Sequence, residues 1–214
     1  MNTAIEKYLA KNKSFIVEKS TLMSILSNLG YLSINDKISD LKKKGILISL
    51  KKGLYVYRSS INENVVSKEL MANNLFGPSY ISMDYALSFH GMIPEKVFHV
   101  TSVTTKRSVS FENHFGTFSY RQIATELFNL GLQIINSEWG NFLMASKEKA
   151  LCDKMFLTKD LKITSLKDVF EFLEQDLRIE TDELINLNHS VIENYYRISK
   201  SKKIGLLNKF LVKL

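Results

Sequence analysis

Three glycines, Gly30, Gly45 and Gly53, cut the first sixty residues into short pieces, and what lies between them fixes the local structure. Glycine ends helices in a left-handed residue and closes tight hairpins. Before Gly30, Leu22, Ile25, Leu26 and Leu29 recur at helical spacing, with Ser20 and Thr21 as candidate N-caps. Before Gly45, Ile34, Ile38 and Leu41 are spaced i, i+4, i+7, which is one buried helix face. Ser33 stands at its start, and Asp36 three residues on completes an acidic capping pattern. Around Gly53, the β-rich runs 46–50 and 54–57 flank Lys51-Lys52-Gly53, which predicts a hairpin. Ile5, Tyr8 and Leu9 add a short helix over 3–10, followed by the apolar run Phe15-Ile16-Val17.

Helix, helix, helix, hairpin is the order of a winged helix-turn-helix. In that reading the third helix presents Asn35, Lys37, Ser39, Lys42 and Lys43 opposite its apolar stripe, with Ser33 at its start. Asparagine and lysine reach base edges in a major groove, while lysine and serine hold phosphates. Lys51 and Lys52 would carry the hairpin tip to a neighbouring phosphate. Asp36 and Asp40 oppose this, unless they face away or accept from a cytosine amino group. The alternative is a helical bundle whose lysines are only solvated.

Charge supports the first reading. The chain has 29 Lys and Arg against 22 Asp and Glu, a net charge of +7. Residues 1–60 hold eleven basic and four acidic residues, which is the whole excess; residues 61–214 balance at eighteen of each. An excess confined to one segment is an electrostatic footprint for a polyanion, whether nucleic acid or a membrane surface. No run of eighteen apolar residues is present, no basic-then-apolar leader opens the chain, and Cys152 is the single cysteine. These features predict a cytoplasmic protein with no membrane span and no disulfide.

The remainder reads as α+β. Residues 61–67 are polar and Asn-rich, a linker. Helices are expected over 68–75 and from Ser82 to His90, with Gly91 as the stop. Residues 97–104 form a strand by β-branched content, 108–112 and 117–121 flank a turn, and 133–135 and 141–145 are further strands. Ser146, Ser165 with Asp168, and Thr181 are caps of later helices, and an amphipathic helix covers 202–213. The expected fold is therefore α+β: a winged helix-turn-helix over 1–60, a linker over 61–67, and a mixed α+β domain over 68–214 with a small antiparallel sheet and a helical C-terminal tail.

Four blocks give the chain a resemblance. They are Lys44-Gly45-Ile46-Leu47 leading into Lys52-Gly53-Leu54-Tyr55; the run 78–95, Pro-Ser-Tyr-Ile-Ser-Met-Asp-Tyr-Ala-Leu-Ser-Phe-His-Gly-Met-Ile-Pro-Glu; residues 100–105 followed by Phe118-Ser119-Tyr120-Arg121; and Ala145 to Asp153. In this order they resemble the AbiEi-type antitoxins of type IV toxin–antitoxin systems, over about residues 20–160. The wing here carries lysines where the family is richer in arginine, which weakens bidentate reading of guanine, and Lys147 replaces a usual proline. The resemblance implies a DNA-binding domain joined to an antitoxin domain. It also implies repression of the protein's own operon, with double-stranded DNA of its own promoter as ligand, and a nucleotidyltransferase-like toxin opposed functionally.

The residues do not call for catalysis, a metal or a cofactor. His90, His99, His114 and His189 lack metal-ligand spacing. His90, before Gly91, is expected to satisfy a last-turn carbonyl; His99 to lie mid-strand; His114 to sit in a turn. Glu148, Lys149 and Asp153 evoke a nuclease carboxylate cluster, against the simpler role of acidic groups near a helix N-terminus. Cys152 reads as a buried small hydrophobe. Tyr120 and Arg121 are either an anchor for a protein partner or a sheet-edge pair with a nearby carboxylate. Lys106-Arg107 is a local basic step able to touch DNA beyond the main module. The expectation is a sequence-specific DNA-binding repressor and antitoxin, a monomer or weak dimer. A protein-interaction module is the alternative, and a metal-dependent nuclease comes last.

Overall fold

The computed structural model describes residues 4–11, 15–58 and 67–214. It begins with α1 (Ala4–Lys11), β1 (Ile16–Glu18), α2 (Lys19–Asn28), α3 (Ile34–Lys43), β2 (Leu47–Lys51) and β3 (Leu54–Tyr57). The three strands form an antiparallel sheet in the order β1-β3-β2, with Val17 opposite Tyr55 and Leu47 opposite Tyr57. The Phe15-Ile16-Val17 run is thus the start of a strand, a pairing with β3 that no local pattern encodes. A small core gathers Ile5 and Leu9 of α1, Leu22, Ile25 and Leu26 of α2, and Ile38 and Leu41 of α3 against Val17, Leu47 and Tyr55. The apolar stripes are the buried faces, except that Leu29, just past the end of α2, and Tyr8 of α1 are exposed.

The caps differ from expectation. α2 starts at Lys19 with Glu18 before it, so Ser20 and Thr21 sit inside the first turn, and the Ser20 hydroxyl donates to Glu18. Ser33 precedes α3 without donating or accepting a side-chain capping bond.

The second part runs α4 (Lys68–Leu75), β4 (Ser79–Ile81), α5 (Met83–Phe89), β5 (Val100–Thr104), β6 (Val109–Asn113), β7 (Gly116–Gln122), α6 (Thr125–Phe128), β8 (Leu132–Ser137), β9 (Gly140–Ala145) and α7 (Lys147–Leu157). The helical tail follows as α8 (Leu166–Phe170) with a π-helical continuation (Glu171–Asp176), α9 (Thr181–Ile185), α10 (His189–Ser199) and α11 (Lys202–Leu211). The fold is mixed α+β. Its larger sheet has six strands in the order β6-β7-β5-β4-β9-β8. It is not the small antiparallel sheet expected: β5 pairs with β7 in parallel, and β4 with β9 in parallel. Sequence patterns reveal hairpins between neighbouring strands, and those are antiparallel. Parallel pairs join distant segments and leave no local signature.

Ser146 and Ser165 cap as expected: each hydroxyl accepts from the backbone N–H three residues on, and Ser165 with Asp168 completes a capping box. Thr181 is the first helical residue rather than the cap, which is Glu180. Ser67, assigned to the linker, caps α4 by accepting from the Leu70 N–H; residues 61–66 of that linker lie outside the described residues.

The β2–β3 hairpin belongs to both cores. Leu47 and Tyr55 face the small one, while Leu50, Leu54 and Val56 pack into the large one. A strand's alternating faces allow this: Ile48 and Leu50 lie on the face of β2 opposite Leu47.

Candidate nucleic-acid interface

The solvent side of α3 collects Asn35, Ser39, Lys42 and Lys43, all exposed, with Ser33 exposed at its start. Ile38 and Leu41 hold the other side against α2, so helical periodicity alone turns these polar groups outward. Lys42 and Lys43 make no ion pair with any described residue, which leaves their ammonium groups free for an anion. Both lie in the last turn, where positive charge also suits the helix dipole.

Lys37 is placed differently. It is half-buried at the edge of the apolar stripe, 5.1 Å from the centre of the Tyr31 ring and 3.6 Å from the Asp40 carboxylate. Asp40 also pairs with Lys44 at 3.0 Å. The hydrogen bond from Lys44 holds the Asp40 carboxyl below its usual range, helped by the Lys37 charge. Asp40 is thereby occupied on the flank of the helix, whereas Asp36 is exposed in the first turn.

The hairpin tip splits its two lysines. Lys52 is exposed, but the Lys51 ammonium donates to the Leu75 carbonyl at the end of α4. Lys51 therefore serves as an anchor between the hairpin and α4, not as a free cation at the tip. The Asn113 side chain adds a second anchor, donating to the Leu50 carbonyl at 3.2 Å. At the base of α2, the Lys19 N–H donates to Gly53 O at 2.8 Å and fixes the turn.

Leu32, in the turn between α2 and α3, is fully exposed at 100%. It belongs to neither apolar stripe, and that mismatch was the signal available in the sequence. An apolar group beside a helix N-terminus suits contact with a thymine methyl.

The proposed anchor pair Tyr120 and Arg121 is not a pair. Tyr120 is 1% exposed, donates to the Ala72 carbonyl at 2.6 Å, and packs edge-on against Phe76 and Phe111. Arg121 points to the opposite, exposed side of β7, because successive strand residues alternate. Nor is β7 an edge strand: β6 and β5 flank it.

Two of the three residues that evoked a nuclease lie in the interior. Lys149 and Asp153 are both fully buried. Asp153 Oδ2 accepts from Tyr80 Oη at 3.0 Å and Ser82 Oγ at 2.7 Å, and Oδ1 from Lys149 Nζ and Tyr195 Oη at 2.9 Å each. Lys149 also donates to the Leu127 carbonyl at 2.9 Å and lies over the rings of Tyr80 and Tyr195. Burial and the Asp153 charge raise both phenol pKa values far above the ordinary range, so both remain donors. Four donors saturate a carboxylate, and this one has no face left for a metal. Glu148, at the surface end of α7, accepts from the Asn188 N–H and the Ser146 hydroxyl. Burial pushes its carboxyl up, but those hydrogen bonds outweigh it and hold it below the usual range. The Ser82 hydroxyl, expected to cap α5, is spent on Asp153 instead.

No family model and no curated protein matches the chain. It is similar to the crystal structure of the RV2827C protein from Mycobacterium tuberculosis, at 16% identity and a TM-score of 0.56. The match covers 97% of this chain and 79% of that one, so both sheets fall within it. At that identity the likeness is one of fold.

The histidines differ in their placement. His90 Nε2 lies 2.8 Å from the Ala145 carbonyl on β9, not from a carbonyl of its own last turn. His99 is exposed just before β5 rather than within it, and His114 sits in the β6–β7 turn. Cys152 is buried, and burial pushes its thiol well above its ordinary value.

Proposed function

We propose that the protein is a sequence-specific double-stranded DNA-binding repressor of its own promoter and the antitoxin of a type IV toxin–antitoxin pair. The observation that carries the DNA reading is topological. The order α1-β1-α2-α3-β2-β3, with the sheet ordered β1-β3-β2, supports a winged helix-turn-helix reading in which α3 is the reading helix and the β2–β3 turn the wing. Ten residues of α3 span about 15 Å, enough to lie along a major groove.

In this reading Asn35 pairs with an adenine edge and Leu32 meets a thymine methyl. Ser33, Ser39, Lys42 and Lys43 hold the backbone beside the groove, and Lys52 grips phosphate from the wing. Bound protein occludes the promoter. The mechanism uses no catalytic group, cofactor or metal, and monomers can load separately on paired half-sites.

The antitoxin half rests on the AbiEi resemblance. Its blocks meet in space: Tyr80 and Ser82 of the second block bond Asp153 of the fourth, and Val103 and Arg121 of the third are paired neighbours. Parts of the second, third and fourth blocks therefore meet around one buried carboxylate and one sheet, which is what supports the reading of a shared fold. The opposing surface is a separate matter, and a protein-interaction role for the helical tail is favoured by its exposed apolar groups. Tyr196 and Ile198 are each 41% exposed, Val212 70% and Leu214 49%.

The deciding experiment is a titration of the full chain onto its upstream DNA and onto a scrambled duplex at two salt concentrations, read by fluorescence anisotropy. A preference for the native duplex that persists at higher salt is the expected result. Equal, salt-sensitive binding to both duplexes would reduce the interface to a basic patch and end the repressor reading.

A further inference from the structure

The hairpin does not stand alone beside the larger sheet. At the C-terminal end of α4 two lysines from different parts of the chain converge. Lys51 of the hairpin donates to Leu75 O, and Lys106 of the β5–β6 loop donates to Gly77 O at 2.5 Å while lying 5.5 Å from the Phe76 ring centre. Those two carbonyls are two residues apart, at most about 7 Å along an extended chain. Cations suit the negative end of a helix, so α4 draws both lysines to one place. The wing and the β5–β6 loop are thereby both tied to the same short stretch, 75–77.

Consuming Lys51 and Lys106 leaves their neighbours free. Lys52 and Arg107 are both exposed. The loop is in turn tied to the end of β7, where the Gln122 N–H donates to Ser108 Oγ at 3.0 Å. The β6–β7 register, Val109 opposite Tyr120, sets Ser108 across from Arg121 at its next step. Arg121 is exposed and, like Arg107, forms no ion pair with a described residue. Arg107 and Arg121 therefore stand at one end of the β6–β7 hairpin, and the end of α4 links them to the wing that carries Lys52, which spreads a basic ridge from the wing onto the six-stranded sheet. The nearest acidic side chains in sequence are Glu112 of β6, exposed on the same face as Arg121, and Glu126 of α6, also exposed.

We infer that the DNA footprint continues past the wing along this ridge, with Arg107 and Arg121 holding backbone phosphates of the same duplex. The inference rests on the proposed DNA-binding reading and extends it to the second part of the chain. The guanidinium fork matches a phosphate bidentately, and along one strand a charge recurs about every 3.4 Å, so a fixed ridge meets several. The contact carries no base information; its effect is on affinity and on the length of duplex required.

The test uses the full chain, the upstream duplex at full length, and a duplex trimmed to the α3 and wing footprint. Arg107→Ala/Arg121→Ala is compared with Lys42→Ala/Lys43→Ala and with Lys167→Ala/Lys213→Ala, an equal charge change in the helical tail. Circular dichroism checks that each is folded. On the long duplex the arginine variant should lose about 2 from the slope of log K against log salt, at about 0.9 per phosphate contact. On the trimmed duplex it should bind like wild type, and the tail control should match wild type on both. A wild-type slope for the arginine variant on the long duplex would overturn the ridge, as would an equal loss on both duplexes. In either case, loss of binding by the Lys42/Lys43 variant would leave the DNA reading standing. A wild-type protein that binds neither duplex would remove both.

Discussion

Lys149 and Asp153 lie one turn apart on α7 and meet at 2.9 Å, with neither side chain touching solvent. Burying an ion pair is costly unless every remaining lone pair and proton is satisfied. Here Tyr80, Ser82 and Tyr195 fill the carboxylate, and Leu127 O and two ring faces surround the ammonium. Five separate elements of the chain converge on one pair of charges.

Breaking this pair should unfold the protein more readily than any surface change. Asp153→Ala strands an ammonium and three hydroxyls in the core, and loss of one partner from a buried pair costs about 3–5 kcal/mol. Urea denaturation should show a lower midpoint with an unchanged slope. Lys149→Met should act similarly, and the double variant should lose less than the sum. Additive losses would mean that the two charges do not act as a unit.

Cys152 gives a chemical readout of the same region. Burial raises its thiol well above the ordinary value, with the Asp153 charge adding to the shift. Thiolate is the reactive form, so the native protein should resist a thiol reagent at pH 8 and react at the rate of its unfolding. Rapid labelling without unfolding would contradict the closed core.

Asp168 sets an acid limb of stability. The Thr164 N–H, then the Thr164 and Ser165 side chains, hold its carboxyl down to about 2, from an ordinary 3.8. A depressed carboxyl stabilises the fold above its unfolded value, and that contribution is lost as pH falls towards the folded value. Asp168→Ala should therefore have a lower Tm than wild type at pH 6, and the difference should shrink between about pH 4 and pH 2. A difference that is constant with pH would show that packing, not the capping box, is responsible.

Gly131 should tolerate no side chain. Its φ is +60°, and a Cβ there would lie 3.0 Å from Lys149 Cβ and 3.1 Å from Val191 Cγ1. Left-handed strain and overpacking are each worth about 1–3 kcal/mol, so Gly131→Ala should lower Tm clearly. Gly30, at φ +79° with nothing within 4 Å, isolates the strain alone. Gly30→Ala should cost about 1–2 kcal/mol. Equal losses at the two sites would rule out crowding at Gly131.

The lysines of α3 and the hairpin should separate by role. Lys42→Ala/Lys43→Ala should reduce the salt slope by about 2, and Lys52→Ala by about 1. Lys51→Ala should leave the slope unchanged and lower Tm, because its ammonium is bonded to Leu75 O. Asn35→Ala should reduce the preference for the native duplex by about 1–3 kcal/mol while leaving binding to scrambled DNA intact. A slope change for Lys51→Ala as large as that for Lys52→Ala would show that Lys51 leaves its carbonyl and faces DNA.

Periodic elements could be read directly. Ile34, Ile38 and Leu41 define α3, and the β6–β7 hairpin spans 109–122 close to its expected arms. Ser165 with Asp168 caps as its spacing implies. Other local signals were outweighed. Ser82 looks like a cap, yet a buried carboxylate 71 residues away captures its hydroxyl. Tyr120 and Arg121 look like one anchor, yet strand alternation separates them. Glu148, Lys149 and Asp153 evoke a nuclease cluster, yet Tyr80 and Tyr195 enclose the last two.

The sequence by itself determined what depends on neighbours a few residues apart: helix faces, turns, two of the caps, and the confinement of excess positive charge to the first sixty residues. Those are set by local sterics and by periodicity, and they need no knowledge of the rest of the chain. Only the tertiary structure decided the parallel pairings, the sharing of the β2–β3 hairpin between two cores, and which cations remain free. Lys37, Lys51 and Lys149 each carry the same charge as Lys42. What separates them is the acceptor each one meets, an aspartate one turn along for Lys37 and Lys149 and the carbonyl end of a distant helix for Lys51, together with how far burial closes that meeting to water.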